Sequence, residues 1–196
     1  MEKPILFSTE MVKAILAGRK TMTRRVIKPQ PKGQLKCVIQ HETSGRSCWM
    51  EDNADQLSKD FKFHKYYEVG DILWVRETFC YDDFDNGGET IYFKADYTEK
   101  EGKELFTDLD LKWKPSIFMP RSAARLFLKV KNIRVERLQD ITEEDAIAEG
   151  CDKLLMETRS ARNNFMNLWN FINTKRGYIW AMNNWVWVVE FERVEA

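Results

Sequence analysis

The chain has 196 residues with 31 Lys or Arg balanced by 31 Asp or Glu, so it is not a protein that coats nucleic acid by charge alone. A hydrophobic fraction of 43%, with twelve Phe and seven Trp, excludes a disordered chain and suits one domain with one sizeable core. Cys37, Cys48, Cys80 and Cys151 form no close pair, no run reaches the roughly 18 apolar residues of a membrane span, and MEKPILFSTE lacks a signal-peptide core, so a reducing cytoplasm is expected.

In chain order, Ser8 and Thr9 can cap a short helix carrying Met11, Val12, Ile15 and Leu16 at helical spacing, with Gly18 as its left-handed stop. Thr21 to Ile27 reads as a strand. Residues 29–66 hold Pro29, Pro31, Gly33 and Gly45 with weak periodicity, and read as an insertion. Val69-Gly70-Asp71 turns into a strand from Ile72 to Thr78. Further strands are expected at Ile91 to Ala95 and Ala124 to Val130, separated by a loop with Trp113, Pro115 and Pro120. A helix capped by Thr142, with an acid three residues on, ends at Glu149 before Gly150. Ser160 to Asn173 places Phe165, Leu168, Trp169 and Ile172 on one helical face. Trp185 to Val194 is the last strand, expected to close a small α+β barrel flanked by three short helices.

Charge is distributed unevenly. Residues 1–40 hold nine Lys or Arg against Glu2 and Glu10, whereas Asp140 to Glu149 holds five acids and no base. The two patches can face each other or a ligand. Metal readings fare poorly: Cys37, His41, Cys48 and His64 have no usual zinc spacing, and Asp82-Asp83-Phe84-Asp85-Asn86-Gly87 misplaces the glycine of a calcium loop and reads as a polar turn. No metal or cofactor is expected.

The candidate site is Gly18-Arg19-Lys20-Thr21-Met22-Thr23-Arg24-Arg25. Neighbouring cations disfavour an ammonium, so a partly buried Lys20 would become a base, and Thr23 is a hydroxyl nucleophile in need of one. Residues three apart on a strand face opposite ways, so their pairing requires Lys20 in the turn before the strand. The plainer alternative is a solvated charged edge with ordinary strand threonines. Arg76 and Glu77 can reach the same cleft, Arg76 by bidentate contact with a base edge or phosphate, or else form an internal ion pair. Trp74, Trp169, Trp185 and Trp187 fit core positions, leaving Trp49, Trp113 and Trp180 as stacking candidates.

Four motifs in order resemble the ASCH domain, a relative of the PUA domain. They are Leu16 to Arg25, Val69 to Glu77, Leu138 to Gly150, and Trp185 to Phe191, and together they span nearly the whole chain. Met119-Pro120-Arg121 resembles the longer ASCH proteins of phages and prophages. The resemblance implies a PUA-like β-barrel over 1–196, with insertions at about 29–66 and 80–115, and a cleft that takes RNA or a modified nucleoside. One shorter bacterial branch hydrolyses the acetyl amide of N4-acetylcytidine with a Lys, a Thr and a Glu, which fall on Lys20, Thr23 and Glu149. By that resemblance Thr23 attacks the acyl carbonyl, Lys20 takes its proton, and Glu149 orients Lys20 or assists the water. Backbone N–H groups near Gly18, or Arg25, would meet the oxyanion. Arg19, Arg24, Arg25, Arg76, Glu77 and Arg121 would line the nucleic-acid or substrate surface. Glu149 also has a structural reading, as a helix-end acid facing Arg24 or Arg25. A non-catalytic RNA-binding module and a ribonuclease are the competing functions, the latter without a histidine placed by motif.

Overall fold

The computed structural model describes residues 1–30, 35–40, 47–51, 66–83, 89–109, 111–151 and 160–195. Its strands are β1 (Glu2–Leu6), β2 (Met22–Val26), β3 (Leu35–Gln40), β4 (Ser47–Glu51), β5 (Ile72–Arg76), β6 (Phe79–Asp83), β7 (Glu89–Phe93), β8 (Phe127–Arg137) and β9 (Trp185–Val194). The α-helices are α1 (Thr9–Leu16), α2 (Glu99–Leu109), α3 (Glu143–Ala148) and α4 (Ala161–Asn173). The fold is α+β. Five strands form one sheet in the order β1-β5-β8-β9-β2, while β3-β4 and β6-β7 are separate two-stranded pairs.

The expected barrel closure by β9 does not occur among the described residues: β9 lies inside the sheet, and β1 and β2 are its two edges. Pro4 within β1 suits one edge, because a residue that cannot donate to the ladder is tolerated where its missing N–H would face the unpaired side. β1 runs parallel to β5, and β5 is antiparallel to β8, as β2 is to β9. No helix among the described residues is long and apolar enough to cross a membrane.

Contacts divide the chain into two compact units. The first comprises Met1–Thr21, Gly70–Val130 and Phe191–Ala196. In it, Ser8 caps α1 by accepting from the Met11 N–H, and Val12, Ala14 and Ile15 are buried. Asp71, 4% exposed, anchors β1 through Lys3 at 2.6 Å and the N-terminal ammonium at 3.1 Å. Phe79, Met119 and Ala123 form a small core with Tyr81, Ile91 and Phe93, and Cys80 is buried beside Phe79 in the chain.

The second unit comprises Met22–Val69 and Lys131–Glu190. Met22, Val186 and Val188 from β2 and β9 pack with Ile141, Ala146, Cys151, Phe165 and Trp169 around α3 and α4. Thr142 and Ser160 cap those helices by accepting from the Asp145 and Asn163 N–H groups. Glu143 reaches from α3 to the start of α4, accepting from the Ala161 N–H at 2.9 Å. Trp180, expected as a stacking residue, packs instead on Phe165 at 6.2 Å and beside Arg162. His41 and His64 lie outside the described residues, and for Cys37, Cys48 and Trp49 only the β3-β4 register is described. The expected polar turn at 82–87 begins in β6 and continues outside the described residues.

Candidate functional site

The approach to the motif is set by the end of α1. Gly18 has φ +70°, where a Cβ would be strained, and both the Arg19 and Lys20 N–H groups donate to the Ala14 carbonyl at 2.9 and 3.1 Å. The chain therefore curls back over its own last turn at Ala17 and Gly18, and Lys20 follows that turn in an extended bridge ahead of β2, not in the turn itself. Lys20 is only 2% exposed, with its ammonium 5.6 Å from the centroid of the Phe7 ring. Arg19 is half-buried.

Thr23, Arg24 and Arg25 belong to the second unit, on β2. They pair in register with Val189, Val188 and Trp187 of β9, so alternation puts Thr23 and Arg25 on one face and Arg24 on the other. Thr23 is 3% exposed. Arg25 is half-buried beside a small recess shared with Tyr66, Tyr67, Ile133, Trp187 and Val189. Burial lowers the pKa of Arg25, opposed by the nearby Tyr67 and Glu149, while Arg176 adds to the lowering. Burial likewise raises the Tyr67 phenol, against the pull of Arg25.

On the opposite face, Arg24 has no side-chain exposure and meets three carboxylates: Asp145 at 2.5 Å, Glu136 at 3.0 Å and Glu149 at 3.5 Å. Arg134 joins the same cluster, donating to Glu136, Glu190 and Asp145. The basic segment and the acidic helix therefore face each other at Arg24. The solvated-edge alternative fails for Lys20 and Arg24, which are 2% and 4% exposed. Glu149 is the C-cap of α3, 4% exposed, and follows Asp145 by one helical turn, so both reach the same guanidinium.

The remaining candidates lie in the first unit and have partners of their own. Arg76 donates to the Ile117 carbonyl and lies over the Trp74 ring. Glu77, the residue just past the end of β5, is 1% exposed and takes Arg125 in a bidentate pair at 2.9 and 3.1 Å. Arg125 also donates to Asp96 at 2.7 Å. The internal Arg–Glu pair thus exists, with Arg125 and not Arg76 as its cation. Burial raises the Glu77 pKa despite Arg125. For Arg125 burial works against the charge, but hydrogen bonds to Glu77 and Asp96 together outweigh it, and its pKa is raised. Arg121 holds the exposed Glu2 at 2.7 Å and covers the Phe127 ring.

Glu136, Asp145, Arg134, Arg125, Tyr66 and Tyr67 escaped the sequence reading. Only Asp145 carried a signal, its i,i+4 spacing from Glu149. Tyr66 and Tyr67 sit at the end of the segment read as an insertion. No group of three or more His, Cys, Asp or Glu among the described residues is arranged to hold a metal ion. No protein-family model matches this chain, and neither a curated protein nor a solved structure does.

Proposed function

We propose that this chain is an ASCH-type, PUA-like domain that binds RNA or a modified nucleoside and hydrolyses the amide of an N4-acylated cytidine, with Lys20, Thr23 and Glu149 as its working groups. The observation that carries the reading is the burial of Lys20 at 2% exposure within the motif segment, since lysine is almost never withdrawn from water to this extent unless it is paired, and a buried lysine shifts readily toward the base the reaction needs. In the reaction, the Thr23 hydroxyl adds to the acyl carbonyl while Lys20, as the base, takes its proton and passes it to the departing N4 nitrogen. Cytidine leaves, an acyl-threonine ester remains, and water releases the acid with help from Glu149. Arg24 serves here as a positioning residue: it fixes the Glu149 carboxylate and has no free face for a phosphate. The family assignment rests on the order of four motifs and does not depend on barrel closure.

The test is chromatographic detection of cytidine from N4-acetylcytidine, with Lys20→Met and Thr23→Val measured beside the parent. Each variant is expected to lose about 100-fold or more in rate, the usual worth of a positioned acid–base or nucleophilic group. Absence of turnover, or an unchanged rate in Lys20→Met, sinks the hydrolase reading. A non-catalytic RNA-binding role is favoured by one observation, the half-buried Arg25 beside Tyr66, which is 52% exposed. It would show as RNA affinity that falls with salt and weakens in Arg25→Ala.

A further inference from the structure

The first unit contains a cavity of about 660 Å3, separate from the groups discussed above. It is lined by α1, α2 and the segments on either side of α2, and its volume falls in the range of small-molecule sites. Lys13, Lys94, Lys103 and Lys112 line it, against Glu10 and Glu99. Tyr97 and Trp113 supply an aromatic wall, with ring centroids 6.3 Å apart and planes inclined at 47°.

Two of the lysines are engaged only in weak pairs along their own helices, Lys13 with Glu10 at 3.7 Å and Lys103 with Glu99 at 3.6 Å. Lys94 and Lys112 are exposed and have no carboxylate partner among the described residues. The N-terminus of α2 is already closed by its own capping box, in which the Thr98 N–H donates to Glu101 and the Glu101 N–H donates to Thr98. The positive charge in the cavity therefore comes from the lysines.

Gly102 gives an independent indication. It sits within α2, where glycine costs about 1 kcal/mol relative to alanine. Packing does not demand it, because an added Cβ would meet Trp113 Cζ2 at 3.8 Å, Tyr97 Cβ at 3.9 Å and Trp113 Nε1 at 4.0 Å, all ordinary contacts. Its bare Cα lies against the aromatic wall, on the lining of the cavity, so a longer side chain there would compete with any occupant for that wall.

We infer that this cavity binds a phosphorylated nucleoside, its base against Trp113 and Tyr97 and its phosphate among the lysines. A sugar phosphate would leave the aromatic wall unused, a neutral nucleoside would leave the lysines unused, and a singly charged aromatic acid would match only one of the two lysines, Lys94 and Lys112, that Glu10 and Glu99 leave over. The phosphate belongs either to a free nucleotide or to the end of a nucleic-acid strand. This inference does not depend on hydrolysis at Lys20.

Calorimetric titration of the full chain with uridine and adenosine 5′-monophosphates, the two nucleosides and inorganic phosphate tests it. Nucleotide is expected to bind at least about tenfold more tightly than nucleoside or phosphate, and Lys94→Glu/Lys112→Glu to weaken it about tenfold or more while flattening its salt dependence. Gly102→Leu should abolish binding by filling the cavity while raising helix propensity, so loss of fold is not the cause if circular dichroism is unchanged. A 5′-phosphorylated oligonucleotide compared with its 5′-hydroxyl form separates the two phosphate sources: binding of the phosphorylated strand alone assigns the site to strand ends. No binding of nucleotide or phosphorylated strand at about 1 mM overturns the inference, as does binding untouched by both the lysine and the Gly102 variants. These variants leave N4-acetylcytidine turnover unchanged, so either idea can fail without the other.

Discussion

Arg24 has no side-chain exposure and its guanidinium is shared by Asp145, Glu136 and Glu149, an arrangement in which removing one partner costs far more than the pairing gains. Arg24→Met leaves those carboxylates facing one another, and the expected loss is about 3–5 kcal/mol of stability by urea denaturation. A loss within about 0.5 kcal/mol, the range of ordinary surface changes, would show that the cluster does not hold the second unit together. Glu77 behaves differently. Burial raises its pKa above 4.5, so its contribution to stability is full below that unfolded-state value and declines as pH rises through the raised folded value. Stability relative to Glu77→Gln is therefore expected to shift in favour of the parent as pH falls from neutral toward 4.5. A difference independent of pH would contradict the raised value. The sequence showed Arg24 and Glu149 as possible partners because one chain patch is basic and the other acidic. It could not show Arg125 as the cation for Glu77, since the partners stand 48 positions apart and nothing local links them.

Helix ends were the most readable elements, because caps and stops act within a few residues. Ser8 and Thr142 each accept the N–H bond their position foretold, Ser160 caps α4 in the same way without having been read as a cap, and Gly18 and Gly150 stop their helices at φ +70° and +89°. The acid at Asp145 was expected to complete a capping box, but its carboxylate goes to Arg24 and Arg134. Ser8→Ala and Thr142→Ala should each cost about 1 kcal/mol, measured as a fall in the urea midpoint at unchanged slope. No change would mean that water replaces the cap without penalty. Several elements escaped, among them β3 and β4 in the segment read as an insertion. α2 has a Thr98–Glu101 box, but EKEGKELFTDL carries few apolar residues and an interior glycine, so no apolar stripe marked it. β6 runs into an acidic stretch that read as a turn, and β8 continues to Arg137 through alternating charges that hid its length. The β6-β7 pairing, from Phe79↔Phe93 to Asp83↔Glu89, depends on cross-strand partners and not on local propensity.

At the scale of the molecule, the α+β class was legible from alternating patterns, whereas strand order was not. β1 was invisible as a strand because Lys3 and Pro4 interrupt a five-residue segment, and its parallel neighbour β5 lies about 70 positions away, at the pairing Glu2↔Ile72. Without β1 the sheet has no second edge, and a last strand looks like a closing one. Among the residues whose burial is described, the two units carry one buried thiol each, Cys80 at 2% exposure in the first and Cys151 at 7% in the second. A reagent the size of an aromatic disulfide cannot reach either sulfur unless the surrounding structure opens. With Cys37 and Cys48 changed to Ser, the native protein should label slowly and both thiols at once in denaturant; prompt labelling under native conditions would contradict this burial. The cysteines that first argued only against a disulfide framework thus serve as two local clocks, each timing the breathing of the unit that encloses it.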